Sequence, residues 1–254
     1  EYVKQCNLMY AMLSLRGTSF VVASGDSGAS GRTNPSCENP PHLRAVFPAS
    51  SPYVLSVGGT TFFNETLGGN SPYCKKFKCV ANATQLNTQF DFVGWTSGSG
   101  IANYSEREYW QVLTAEQYLL NTTADFLPPV GDYLPIGRPY PDVAMLAHNF
   151  VVEVFGAGEQ LVDGTSASSP AFSGLISRLN SVRLNNGCPP LGLFGPLMYK
   201  MYQDCPTCFV DLTVGCSNST ENGDCPSDVK AYCATTGYDV IYGLGLPNYG
   251  EMSN

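Results

Sequence analysis

Thr18-Ser-Phe-Val-Val-Ala-Ser24 runs directly into Gly25-Asp-Ser-Gly28. The first stretch is a short apolar run suited to a buried strand. The second is a loop at the strand's C-terminal end, where open α/β sheets bind their ligands. Upstream, Glu1 to Arg16 reads as a helix, with Tyr2, Cys6, Met9 and Leu13 at three- and four-residue spacing and Gly17 as its stop. Downstream, Tyr53-Val-Leu-Ser-Val57 reads as a second strand closed by Gly58-Gly59. Val151 to Phe155 and Leu161-Val162 predict strands around a Gly156 to Gly158 turn. Phe172, Leu175, Ile176, Leu179 and Val182 then form the apolar stripe of a helix. Strands alternating with helices imply an α/β fold with a mostly parallel, helix-covered sheet. Residues 64–90 and the proline-marked stretch 128–141 read as irregular excursions, and the last fifty residues, rich in Cys, Gly and Asp, as loops. The sequence holds no repeat and no domain linker.

The 254 residues are 43% hydrophobic and 13% charged, enough for one domain with a substantial core and too apolar for disorder. A net charge of −8 leaves no electrostatic footprint for nucleic acid or an anionic membrane. No apolar run approaches the ~20 residues needed to span a bilayer. Ten cysteines point to an oxidising compartment. Zinc competes for Cys205-Pro-Thr-Cys208, but no second CxxC or His pair completes a four-ligand set. Five Asn-x-Ser/Thr sequons, at Asn64, Asn82, Asn103, Asn121 and Asn218, predict passage through the endoplasmic reticulum and glycosylation.

Asp163-Gly-Thr-Ser-Ala-Ser-Ser-Pro170 holds the chemistry. A serine between a glycine turn and a helix start exposes its hydroxyl at the positive end of the helix dipole, which favours developing negative charge. The same pattern also serves a plain N-cap. A serine nucleophile needs a base, ordinarily His. The two histidines are His42, in Pro40-Pro-His-Leu43, and His148, in a loop after Asp142-Val-Ala144. Both read as surface residues, and neither lies in a His-Gly-Thr setting, so an ordinary Ser-His-Asp triad is not formed.

Gly164-Thr-Ser-Ala-Ser-x-Pro170 together with Ser24-Gly-Asp-Ser-Gly28 resembles the sedolisin family of serine-carboxyl peptidases. So do Phe47-Pro-Ala-Ser-Ser-Pro-Tyr-Val54, Val57-Gly-Gly-Thr60, Tyr140-Pro-Asp-Val-Ala144 and Gly243-x-Gly-x-Pro-Asn248, in the family's order across nearly the whole chain. The resemblance implies a subtilisin-like fold, with residues 1–254 as the C-terminal part of one peptidase domain. It implies Ser166 as nucleophile and Asp26 at the oxyanion position. A carboxyl group donates to an oxyanion only while protonated, which favours mildly acidic pH. The family's base is a Glu oriented by an Asp in a Glu-x-x-x-Asp pair, expected upstream of Glu1. The chain opens without an initiator Met or signal peptide and inside a helix, so a second chain from the same precursor is the expected source of that pair. Glu159-Gln-Leu-Val-Asp163 repeats the spacing in a strand and loop rather than on a helix, and reads as a decoy. Asp163 itself stands where relatives commonly have Ser.

The same resemblance assigns a calcium site to Asp211, Leu212, Thr235, Gly237 and Asp239, in a loop-rich C-terminal segment. Asx turns at the two Asp residues are the alternative. It places the substrate cleft along Ser97-Gly98-Ser99-Gly100, where an extended peptide pairs with a strand edge, and it pairs Cys216 with Cys233 and Cys37 with Cys225. Cys74–Cys79 and Cys205–Cys208 are local pairings, and Cys6–Cys188 is what remains. The expected activity is an acid peptidase of a lysosome, another acidic vesicle or a secretion, releasing short peptides such as tripeptides from substrate N-termini. An endopeptidase and an inactive, peptidase-derived binding scaffold are the competing expectations.

Overall fold

A computed structural model describes residues 1–34, 37, 42–62, 85–87, 95–217, 219–220, 223–225, 229 and 231–253. Asn64, Asn82, Asn218 and the Cys74/Cys79 pair lie outside the described residues. The leading helix α1 spans Tyr2–Ser14. Strand β1, Val21–Ala23, pairs in parallel with β2, Leu55–Phe62. On the far side of β2 lies β6, Val143–Leu146, also parallel. Beyond β1 and on the same flank of β2, β3 (Gln85–Asn87) pairs antiparallel. The sheet is therefore parallel at its centre with an antiparallel addition at one end.

The Gly58-Gly59 pair does not close β2, as its sequence suggested, but runs through the strand's middle. A Cβ on Gly58 would lie 2.9 Å from Pro141, and one on Gly59 2.8 Å from Ala147. These glycines let neighbouring chain approach the sheet, which is a packing role rather than a turn role.

A 21-residue helix, which with α2 (Val112–Asn121) before it is α3, spans Thr165–Asn185 and packs on β1, β2 and β6. Its Phe172, Ile176 and Leu179 are buried with Val57, Val143, Ala144, Ile241 and Leu244 in one core. Between β6 and α3 stands an antiparallel hairpin, β7 (Phe150–Val154) and β8 (Gly158–Val162), which holds the decoy Glu159 opposite Glu153. Strand β4 (Gly100–Glu106) pairs with β5 (Gly137–Tyr140), and α4 spans Gly195–Asp204. Helices α2 and α4 were not legible in the sequence, because Val112-Leu113 and Leu119-Leu120 are adjacent apolar pairs and Gly195-Pro196 opens α4 with turn residues. The C-terminal region is mostly short strands and loops, as its composition indicated, with one helical turn at Tyr249–Met252.

Cys37 is bonded to Cys225, Cys205 to Cys208 and Cys216 to Cys233, which removes zinc from the 205–208 pair. The Cys6–Cys188 assignment is corrected: both remain thiols. Chain just after Cys188 packs at the end of α1, where a Cβ on Gly17 would lie 2.8 Å from Pro190. Cys6 is eight residues back along that helix from Ser14, about 12 Å at 1.5 Å per residue, beyond disulfide reach.

Helix α1 also turns a different face inward from its sequence stripe. Tyr10 stacks 4.8 Å from Phe20, and Asn7 Oδ1 accepts a 2.6 Å bond from Ser51 Oγ. Tyr2, Met9 and Leu13 of the stripe, with Leu8, Met12 and Leu15, stand exposed.

Candidate active site

Two loops from distant parts of the chain meet at one cavity of about 240 Å³, lined by Asp26, Gly28, Arg32, Gly98, Thr165 and Ser166 among others. The strand ending at Ala23 delivers Gly25–Gly28, and Gly164 delivers the start of α3. Gly164 has φ +117°, a backbone state closed to most side chains, and a Cβ there would stand 3.3 Å from the Asp26 carboxylate. Glycine is required on both counts.

Ser166 is exposed at the second position of α3. Asp26 is half-buried and held by Thr165, whose backbone N–H and hydroxyl each donate 2.7 Å bonds to Asp26 Oδ1. The Thr165 hydroxyl in turn accepts from Gly25 N–H at 3.2 Å. Both bonds fall on Oδ1, leaving Oδ2 as the oxygen able to carry a proton. With Thr165 N–H committed to Asp26, the Ser166 N–H is the next first-turn amide that an anion at the helix start can use. Thr165 escaped the sequence reading because its place between Gly164 and Ser166 looked like spacing. The signal was present as a buried-type hydroxyl beside the nucleophile, but its partner lies 139 residues away.

Ser97–Gly100 lies against the Asp26 loop. Gly28 N–H bonds Thr96 O at 3.0 Å and Gly98 N–H bonds Gly25 O at 2.6 Å. A Cβ on Gly98 would sit 2.2 Å from Ser24 O, so the two segments touch backbone to backbone. The hydroxyls of Ser97 and Ser99 are buried rather than presented, and Ser97 Oγ accepts from Gly59 N–H at 2.7 Å. What this segment offers a ligand is backbone.

Both histidines are half-buried, not surface residues. His42 Nδ1 is 2.7 Å from Cys37 O, and His148 Nδ1 is 3.0 Å from Asp163 Oδ1, which also accepts from Asn149 N–H at 2.8 Å. Neither histidine lines the Ser166 cavity. Asp163 is thus engaged with the end of β6.

Behind the site Asp142, of the Tyr-Pro-Asp-Val-Ala stretch, is a structural anchor. It accepts from Arg138 at 2.6 Å, Ser56 N–H at 2.7 Å, Tyr199 at 2.9 Å and Gln111 at 3.2 Å. Burial, the largest influence, acts to lower the Arg138 pKa, and the Asp142 carboxylate together with Tyr199 and Tyr238 more than offsets it, so the pKa is raised and the guanidinium stays charged.

At the C-terminal loop, Asp211 Oδ2 accepts from Gly237 N–H at 2.8 Å, while Asp239 accepts from Thr235, Ile241 and Tyr242 N–H groups at 2.8–3.0 Å. Both carboxylates are thus drawn onto one loop. Burial, with Asp211's charge adding to it, pushes Asp239 up to about 8 despite those three donors. A buried carboxylate in that position gains from a cation. Among the described residues no three His, Cys, Asp or Glu side chains gather as a metal cluster; a cation held here would need backbone carbonyls and water beside the two carboxylates, the oxygen ligands that calcium takes. Asn103 is exposed on β4 and Asn121 at the end of α2. No helix among the described residues is long and apolar enough to cross a membrane.

No family model matches the chain. It is 38% identical over 258 residues to physarolisin of Physarum polycephalum, covering 99% of this chain and 44% of that protein. It is 34% identical over 256 residues to tripeptidyl-peptidase 1 of Mus musculus, covering 99% of this chain and 39% of that one. Among solved structures, Pseudomonas sedolisin, a serine-carboxyl proteinase complexed with two molecules of pseudo-iodotyrostatin, superposes with a TM-score of 0.68 at 24% identity. The match covers 97% of this chain and 58% of that one, and it shows the fold. The chain spans less than half the length of the curated relatives it matches. With the motifs, the parallel sheet and these relatives in agreement over nearly every residue, the chain belongs to the sedolisin family.

Proposed function

We propose that the chain supplies the nucleophile and the oxyanion acid of an acid-acting serine-carboxyl peptidase, secreted or lysosomal. The observation that carries this reading is the shared cavity, where an exposed Ser166 and an Asp26 held on one oxygen face the same space. Ser166 Oγ attacks the scissile carbonyl carbon and its proton passes to a carboxylate base. The resulting oxyanion accepts a hydrogen bond from protonated Asp26, and collapse expels the amine, which takes the proton back from the base. Water then hydrolyses the acyl-enzyme by the same route. The base must be ionised while Asp26 is protonated, so the activity belongs to mildly acidic pH.

Asp26 is the only carboxylate among the described residues lining the cavity. Within this reading an upstream part of the same precursor supplies the base and its orienting Asp, as continuous chain or as a second polypeptide cut from it. Two features support a covering segment. The outer edge of β1 pairs with no described strand, and a groove of about 710 Å³ runs between β1 and α3. The exposed apolar face of α1 is the second. Within this reading the substrate is an extended peptide laid along Ser97–Gly100, cut to release tripeptides from its N-terminus, and calcium at Asp211, Leu212, Thr235, Gly237 and Asp239 is structural.

The test uses the complete precursor matured at acid pH, with one reporter peptide carrying a free N-terminus and another blocked there. Ser166→Ala is expected to lose activity on the order of a millionfold, as for other serine peptidases. Undiminished activity in that variant removes Ser166 as nucleophile. Equal cleavage of the blocked peptide replaces tripeptide release with internal cleavage.

A further inference from the structure

A groove of about 510 Å³ separates α2 from the 235–238 turn of the loop that holds Asp211 and Asp239. Thr114, Gln117, Tyr118 and Asn121 line it from α2, at the three- and four-residue steps that place side chains on one helix face. Tyr202 of α4 and Thr235, Thr236 and Gly237 complete it. Tyr118 is buried, with its hydroxyl bonded to Cys233 O at 3.1 Å, and Tyr202 is half-buried. The groove thus has an aromatic floor, a rim of amide and hydroxyl groups, and at one end an exposed asparagine. That asparagine begins Asn121-Thr-Thr123, a glycan acceptor sequence.

We infer that Asn121 carries an N-linked glycan whose innermost N-acetylglucosamine lies in this groove and braces the 235–238 turn. The transfer forms a bond from Asn121 Nδ2 to sugar C1 and breaks the C1–O bond of a lipid-diphosphate-linked oligosaccharide. It releases the lipid diphosphate and the amide proton. A pyranose suits the groove because its C–H face packs on tyrosine rings while its hydroxyls and acetamide reach Gln117, Thr235 and Thr236. Ordering that turn fixes the backbone of Gly237, whose φ of +86° gives it wide freedom when unconstrained.

The inference rests on the secretory reading, and the experiment separates the two. The full precursor is expressed in a secreting eukaryotic host and glycopeptides are read at each sequon. Occupancy at Asn121 is expected. Occupancy at other sequons with Asn121 bare overturns the inference and spares the secretory reading, whereas bare sequons throughout overturn both. Bracing is tested by amide exchange. Asn121→Gln and Thr123→Ala remove the glycan from different residues, and each is expected to speed exchange at 235–238 roughly tenfold. Thr123→Ser keeps the acceptor sequence and is expected to leave exchange unchanged. Equal exchange in glycosylated and unglycosylated protein means the sugar does not touch the turn and overturns the bracing.

Discussion

Thr165 shows how much of the site depends on a residue that performs no chemistry. Its hydroxyl is shared between Asp26 Oδ1 and Gly25 N–H, so one side chain fixes both the acid and its loop. Thr165→Val keeps the shape and removes the donor, and is expected to lower kcat about tenfold, the worth of one hydrogen bond to a charged or polar acid. Thr165→Ser should restore most of the rate. Loss with Val and rescue with Ser, at unchanged circular dichroism, checks the positioning role, whereas equal rates in both variants remove it. Asp239 is open to a test through metal binding. With Asp211 it is the proposed calcium ligand, so chelation should lower the thermal midpoint by linkage. In Asp239→Asn the midpoint should no longer respond to chelator, which scanning calorimetry with and without calcium would read.

Among the elements, β5 and β6 are joined to α4 and the turn before α2 through Asp142. Removing one partner of a buried pair leaves a charge without compensation, so Asp142→Ala is expected to cost about 3–5 kcal/mol. Replacing both, as Arg138→Met with Asp142→Leu, should recover much of that loss, since the remaining cost is the hydrogen bonds of Ser56, Gln111 and Tyr199. Denaturant midpoints of the three proteins decide this, and additive losses would show that the ion pair itself is not the coupled unit. Packing between elements also explains the glycines. Gly58, Gly59 and Gly98 lie where β2 and the Asp26 loop are approached by Pro141, Ala147 and Ser24, contacts made by chain far away in sequence.

Taken whole, the molecule buries a cluster of tyrosines and leaves an apolar helix face open. Burial pushes Tyr118, Tyr140, Tyr199, Tyr232 and Tyr238 upward. An unfolded phenol ionises near pH ~10, so a raised folded value means the native state binds its proton more tightly. The associated stability is fully present below pH ~10 and is lost as pH rises beyond it. Absorbance titration at 295 nm should therefore show these phenols ionising only together with unfolding. Independent ionisation before the circular dichroism changes would contradict their burial. The open face leads to a different measurement. Residues 1–254 made alone should bind a hydrophobic dye through α1 and the β1 edge, and co-expression with the upstream part proposed above should abolish the signal and yield a complex that co-purifies.

The sequence by itself determined the fold class, because Thr18–Ser24, Tyr53–Val57 and the Phe172–Leu179 stripe are local patterns whose period states their structure. It likewise set out Ser166 as a candidate, since a serine between a glycine turn and a helix start is written locally, whereas Asp26 came with the resemblance of Ser24-Gly-Asp-Ser-Gly28 to the family's motif. What the tertiary structure decided is every relation between distant segments: Thr165 as the holder of Asp26, Asp142 as the anchor for Ser56 of β2, and the inward face of α1. Those relations failed to show in the sequence for one physical reason. A hydroxyl, a buried carboxylate or a helix face has no meaning without its partner, and here the partners lie 139, 86 and 44 residues away. The unpaired Cys6 and Cys188 follow the same rule. Pairing by elimination counts sulfurs, whereas disulfide formation depends on distance, which the packing of Pro190 on Gly17 rather than on Cys6 settled.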